Sequence, residues 1–161
     1  MSNSQPTVAM LRHPAHFLSL GFGSGLAPKA PGTFGTLAAI PVYLALQSFS
    51  SEIFVVISIL LFLIGIYLCG FTAKTLGTHD HSAIVWDEIV GYLVTMTFVK
   101  CSLYTVLLGF LLFRLFDILK PWPISWLDKR VHGGFGIMLD DLIAAIFAGA
   151  ILAYIEYLSY I

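Results

Sequence analysis

Residues 53–72 read IFVVISILLFLIGIYLCGFT, twenty residues without a charge. At about 1.5 Å per residue, a helix over this run reaches about 30 Å, the thickness of a bilayer's hydrocarbon core. No period-two alternation marks it as a half-buried strand. The rest of the chain agrees with a lipid solvent. Of its 161 residues, 58% are hydrophobic and 11% charged, whereas soluble domains carry roughly 45–50% apolar and roughly 25% charged residues. So small a domain has too much surface to hide that surplus inside. The length allows a single domain over 1–161, with residues 1–12 as a polar lead-in that lacks a signal peptide's apolar core. A formal net charge of −1 gives no basis for nucleic-acid binding. Cys69 and Cys101 form no C-x-x-C pair and read as packing residues.

Working outward from 53–72, further apolar runs lie at 36–49, 89–99 (extending back through Ile84), 103–119 and 142–161. The expected fold is an all-α, multi-pass membrane bundle of four to five apolar helices with re-entrant or interfacial polar loops. A short interfacial helix is expected over 13–22. The glycines and prolines of 21–35 predict an irregular loop there. Pro121 and Pro123 predict a helix end just before them. Small-x-x-x-small pairs, Ala144/Ala148 and Ala145/Gly149, predict close packing of the last helix.

With five crossings, seven of the eight Lys and Arg residues fall on one side and only Lys100 on the other. The basic side is therefore expected to be cytoplasmic. All five histidines, and every acid except Glu52 and Glu156, gather at the same boundary.

Four constellations stand there. Asp87 and Glu88 follow Trp86 at the end of an apolar run; intramembrane acids are functional candidates, though two interfacial acids facing water is the plainer reading. Arg114, Asp117 and Lys120, three residues apart, share one side of a helix and converge either on a ligand or into a local ion pair. The run His132-Gly-Gly-Phe-Gly136 precedes Asp140 and Asp141, which are expected where the last helix begins. Its glycines would let backbone amides approach an anion, while helix capping explains one of the two acids. Thr78-His79-Asp80-His81-Ser82 holds a possible metal or proton-transfer group, with Asp80 the stronger member. Clustered acids suit a hard cation such as Mg²⁺, and the bases at 29, 114 and 120 suit phosphate, which together are the parts of metal-assisted phosphoryl transfer.

Long segments carry a resemblance to one family. They are Gly21-Phe-Gly-Ser-Gly-Leu-Ala-Pro28, Ala30-Pro-Gly-Thr-Phe-Gly35, His79-Asp-His81, Ile84-Val-Trp-Asp-Glu88, Phe113-Arg-Leu-Phe-Asp-Ile-Leu-Lys-Pro-Trp-Pro-Ile124 and Val131-His-Gly-Gly-Phe-Gly-Ile-Met-Leu-Asp-Asp141. The chain resembles the phosphatidylglycerophosphatase A family over nearly its whole length. That resemblance implies an inner-membrane, Mg²⁺-dependent enzyme among membrane lipids. Its lipid substrate, phosphatidylglycerophosphate, would be hydrolysed to phosphatidylglycerol and inorganic phosphate.

Within that expectation Asp87, Glu88, Asp117, Asp140 and Asp141 supply the metal shell. Arg114, Lys120 and Lys29 neutralise phosphoryl oxygens. Asp80 or His132 protonates the leaving oxygen, and a covalent aspartyl-phosphate stands as an alternative to direct attack by water. Other chemistries fit less well. Six positions after Cys69 and Cys101 stand Thr75 and Leu107, so no Cys-x₅-Arg loop exists. A phosphatidyl transferase would need a D-G-x-x-A-R pattern that is missing. An ion transporter would need acids across the membrane rather than at one boundary.

Overall fold

The computed structural model describes residues 5–78 and 81–159. Its elements are seven α-helices and two 3₁₀ segments, with no strand among the described residues. The helices are α1 (Pro14–Ser19), α2 (Pro31–Leu46), α3 (Ser51–Leu76), α4 (Trp86–Met96), α5 (Leu103–Leu119), α6 (Ile124–Asp128) and α7 (Gly133–Leu158).

The uncharged run became α3, 26 residues long, or about 39 Å. It ends at Gly77, whose positive φ of 73° lets its N–H turn back to the Lys74 carbonyl. Only 28% of its most apolar stretch is buried. Val56, Ile59, Leu60, Leu63, Ile64 and Tyr67 point outward, each about half exposed or more. A water-soluble fold would bury such a face; here it is left for lipid.

α7, also 26 residues, packs against α3, α4, α5 and α6 and so forms the centre of the bundle. Ala144, Ala145 and Ala148 are fully buried, as the small-residue spacing predicted. At Gly149 an added Cβ would come within 2.5 Å of the Phe98 ring. α3 and α7 are the two helices long and apolar enough to cross a membrane among the described residues. α2, α5 and α4 have 16, 17 and 11 residues. Five apolar helices are thus present, but two rather than four or five have full spanning length.

Several expectations are corrected. The glycine-rich stretch does not remain a loop to Gly35. Ala30 adopts a left-handed conformation (φ 48°) and Pro31 opens α2, so Gly32 and Gly35 lie inside a helix. Proline suits a first helical position, because its missing N–H is unpaired there in any case. The last helix starts at Gly133, nine residues before the expected 142. Asp140 and Asp141 therefore sit two turns inside α7 rather than at its beginning. Two glycines of this run, Gly134 and Gly136, serve packing. A Cβ on Gly134 would overlap the Ile66 carbonyl of α3, and one on Gly136 the Val131 carbonyl. Ile84 also stays outside α4, since the Val85 N–H donates to the Ser19 carbonyl at 2.9 Å instead of to a helical partner. By contrast, α5 runs over the expected 103–119, opened by a Ser102–Thr105 capping box.

α1 lies against the end of α3. His16 Nδ1 is 2.8 Å from Thr72 Oγ1, which also meets Ser19 Oγ at 2.5 Å. Burial, and then the neighbouring His13, lower the His16 pKa from its ordinary 6.5.

Two outcomes follow from this packing. Gly134→Val should cost at least about 1–3 kcal/mol through overpacking, seen as a lower Tm in detergent, while Leu63→Ala on the outer face should leave Tm nearly unchanged. Below pH 6.5 the unfolded chain takes up a proton at position 16 that the folded chain resists. Stability should accordingly fall as the pH drops from that value, with a shallower slope in His16→Gln, as measured by Tm against pH.

Candidate active site

Three helices and the start of a fourth meet around a cavity of about 260 Å³. The first turn of α4 contributes Asp87 and Glu88. The end of α5 contributes Arg114, Asp117 and Lys120, and α7 contributes Asp140 and Asp141. Ala30, Pro31 and Gly32 close the cavity from α2, and Ser82 and Ile84 from the segment before α4. The spacing of three along α5 explains why its charged residues arrive together.

Five carboxylates face two cations here. Asp87, Asp140 and Asp141 are 9%, 5% and 3% exposed. Arg114 Nη1 lies 2.5 Å from Asp117 Oδ2 and 3.8 Å from Glu88 Oε1. The local ion pair weighed from sequence therefore exists, and it is part of the cavity wall rather than an alternative to it. Lys120 Nζ lies 2.5 Å from Asp140 Oδ2 and 2.9 Å from Asp128 Oδ1. Burial acts to lower the Lys120 pKa, but the Asp140 and Asp128 carboxylates outweigh it and hold the group above its usual range. Its ammonium thus stays charged at any physiological pH.

One oxygen from each of Asp87, Glu88 and Asp141 lies within 4.8 Å of the others. Glu88 Oε2 and Asp141 Oδ2 are buried and meet no hydrogen-bond partner among the described residues. Converging buried carboxylate oxygens with unused lone pairs fit a hard divalent cation. Arg114 Nε is likewise buried with no hydrogen-bond acceptor among the described residues, which leaves a guanidinium donor for an anion.

Seven of the residues singled out from sequence are thereby brought together: Asp87, Glu88, Arg114, Asp117, Lys120, Asp140 and Asp141. Three are not. His132 is exposed at the N-cap of α7, its Nδ1 3.1 Å from the Arg130 carbonyl, and does not line the cavity. Lys29 is exposed one residue before the cavity wall begins at Ala30. Asp80 lies outside the described residues, as does His79. Two participants escaped the sequence reading. Asp128 holds Lys120 from α6; its only signal was an acid among the bases at 129 and 130. Gly32 was read as loop, yet a Cβ on it would overlap Glu88 Oε1 and come within 3.0 Å of Arg114 Nη1.

The family described as Phosphatidylglycerophosphatase A matches residues 17–156. The chain belongs to the phosphatidylglycerophosphatase A family. This is a family of phosphatases, and every cavity residue named above falls within the matched span. Among curated relatives, the phosphatidylglycerophosphatase A of Escherichia coli (strain K12) is 44% identical over 91% of this chain and 86% of its own length. That of Haemophilus influenzae is 46% identical over 91% of both chains. A putative phosphatidylinositol-3-phosphatase of Bacteroides thetaiotaomicron is 32% identical over 84% of this chain and 89% of its own. No solved structure matches. Together with two membrane-capable helices, family membership makes this a membrane protein of phospholipid metabolism.

Gly32→Ala should displace Glu88 from Arg114. Phosphatase activity should fall about 10²-fold or more, the scale of losing one positioned charge contact, with helical content by circular dichroism unchanged.

Proposed function

We propose that the chain hydrolyses the terminal phosphomonoester of phosphatidylglycerophosphate, releasing phosphatidylglycerol and inorganic phosphate with Mg²⁺ as cofactor. The observation that carries this reading is the gathering of five carboxylates and two cations around one small cavity. The names of the two relatives at 44% and 46% identity supply the substrate.

Asp87, Glu88 and Asp141 would hold the metal, with Asp117 and Asp140 beside them. Bound there, Mg²⁺ would supply Lewis-acid polarisation of the phosphoryl group and lower the pKa of a water. Arg114 turns its spare Nε–H toward the phosphoryl oxygens while Asp117 fixes its orientation. Lys120, steadied by Asp128 and Asp140, carries a permanent charge to the same oxygens. Asp117 or Asp87 accepts the proton of an attacking water, or one of them attacks phosphorus directly. Of the two expected donors to the leaving oxygen, His132 stands away from the cavity and Asp80 lies outside the described residues.

In the same reading the protein is multi-pass in the bacterial inner membrane, with the cavity at the cytoplasmic boundary. Support comes from the seven-to-one distribution of Lys and Arg and from a lipid-facing α3. A second substrate reading, a phosphoinositide monoester, draws on the name of the relative at 32% identity, and the lower identity ranks it below the first.

Phosphate release from phosphatidylglycerophosphate in detergent micelles should require Mg²⁺, stop with a chelator, and fall about 10²-fold or more in Asp117→Asn. Metal-independent release, or wild-type turnover in that variant, would refute the site; faster release from phosphatidylinositol 3-phosphate would favour the second reading. For topology, Cys101 is exposed in the turn before α5. It should react with a membrane-impermeant maleimide added outside intact spheroplasts. Labelling only after lysis would reverse the orientation.

A further inference from the structure

A second and larger cavity, about 560 Å³, lies where the end of α3 meets the start of α7. Its size falls in the range of ligand pockets, roughly 300–1,000 Å³. It shares no lining residue with the carboxylate cavity. Gly133 and Gly134 line it, whereas Asp140 and Asp141, seven residues further along α7, line the other. Seven residues are just under two turns, so the two places are separated by about 10 Å along one helix face.

The trough is apolar along Ile66, Tyr67, Gly70 and Phe71, with the Tyr67 and Phe71 rings stacked at 5.9 Å. Polar groups collect only at its end. Lys74 is exposed there. Thr78 Oγ1 is buried and meets no hydrogen-bond partner among the described residues. Beside them Gly133 leaves open space, with nothing within 4 Å of an added Cβ. No carboxylate lines the cavity among the described residues.

The geometry points to an accessory site for one anionic phosphodiester phospholipid of the bilayer, distinct from the substrate. The trough lies between the two membrane-capable helices, so acyl chains are what surround it. A single ammonium matches the single negative charge of a phosphodiester, and the Thr78 hydroxyl, with no partner among the described residues, stands at the same end of the trough. A zwitterionic headgroup would bring a cation that finds no acid among the described residues lining the cavity. Aromatic rings beside a lysine at a helix end are also how membrane proteins meet the headgroup layer. This inference rests on membrane placement and not on phosphate release.

The test places a fluorophore in the trough. Tyr67, 66% exposed, tolerates Tyr67→Trp in the full chain reconstituted into phosphatidylcholine vesicles. Equal mole fractions of brominated phosphatidylglycerol or brominated phosphatidylcholine are then compared by the quenching of the added indole over the unsubstituted background. The anionic lipid should be preferred about fivefold, the value of one lysine at a membrane surface. Lys74→Gln should bring the preference to near one, and Lys74→Arg should keep it. Equal quenching by the two lipids, or a preference that survives Lys74→Gln, would overturn the site. Because fluorescence needs no turnover, loss of the lipid preference and absence of phosphate release are separate results.

Discussion

A carboxylate buried in an apolar bundle must be answered by positive charge or by donors a few ångströms away, because its desolvation costs several kcal/mol. Around the carboxylate cavity this requirement organises the fold. Arg114 reaches back to Asp117 and across to Glu88, tying α5 to α4. Lys120 joins the end of α5 to Asp140 of α7 and Asp128 of α6. Through these ion pairs α4, α5, α6 and α7 are joined around the cavity.

Such convergence needs backbones that come close. At Gly91 of α4, an added Cβ would press within 2.6 Å of the Phe113 ring. Gly134 brings the start of α7 against α3, and Gly32 lets α2 close over Glu88. Without a hydrophobic driving force between helices in lipid, small residues at the contacts supply the packing. α4, nine of whose eleven residues are buried, is thereby wrapped by its neighbours and carries Asp87 and Glu88 on its first turn. Packing and electrostatics act on the same residues. The glycines fix how near the helices lie, and the ion pairs fix their register.

Patterns confined to one helix were readable in the sequence. The uncharged run, the small residues of α7 and the charged spacing on α5 all obey a single periodicity, and each appears in the fold as read. Glycine was the residue that misled. Its local meaning is conformational freedom, so 21–35 and 132–136 read as loops. Its meaning here is set by a partner helix, as at Gly134 beneath Ile66, and no single-chain pattern encodes the partner. The same reason hid Asp128 and Gly32, whose roles exist only once α6 and α2 are docked. His132 was drawn into the site by its neighbours in sequence. The early start of α7 turns it away, since seven residues of helix stand between it and Asp140.

The charge balance leads one step further. Arg114 and Lys120 are already engaged by four carboxylates, Glu88 and Asp117 of the cavity for the first, Asp140 of the cavity and Asp128 outside it for the second. A phosphomonoester brings up to two more negative charges to the same place. Two fixed cations cannot neutralise both the acids and the phosphate, and in a medium of low dielectric the shortfall is costly. In the proposed reading, a cation bound beside Asp87, Glu88 and Asp141 would supply the missing positive charge. That need belongs to the assembled set of donors rather than to any one residue.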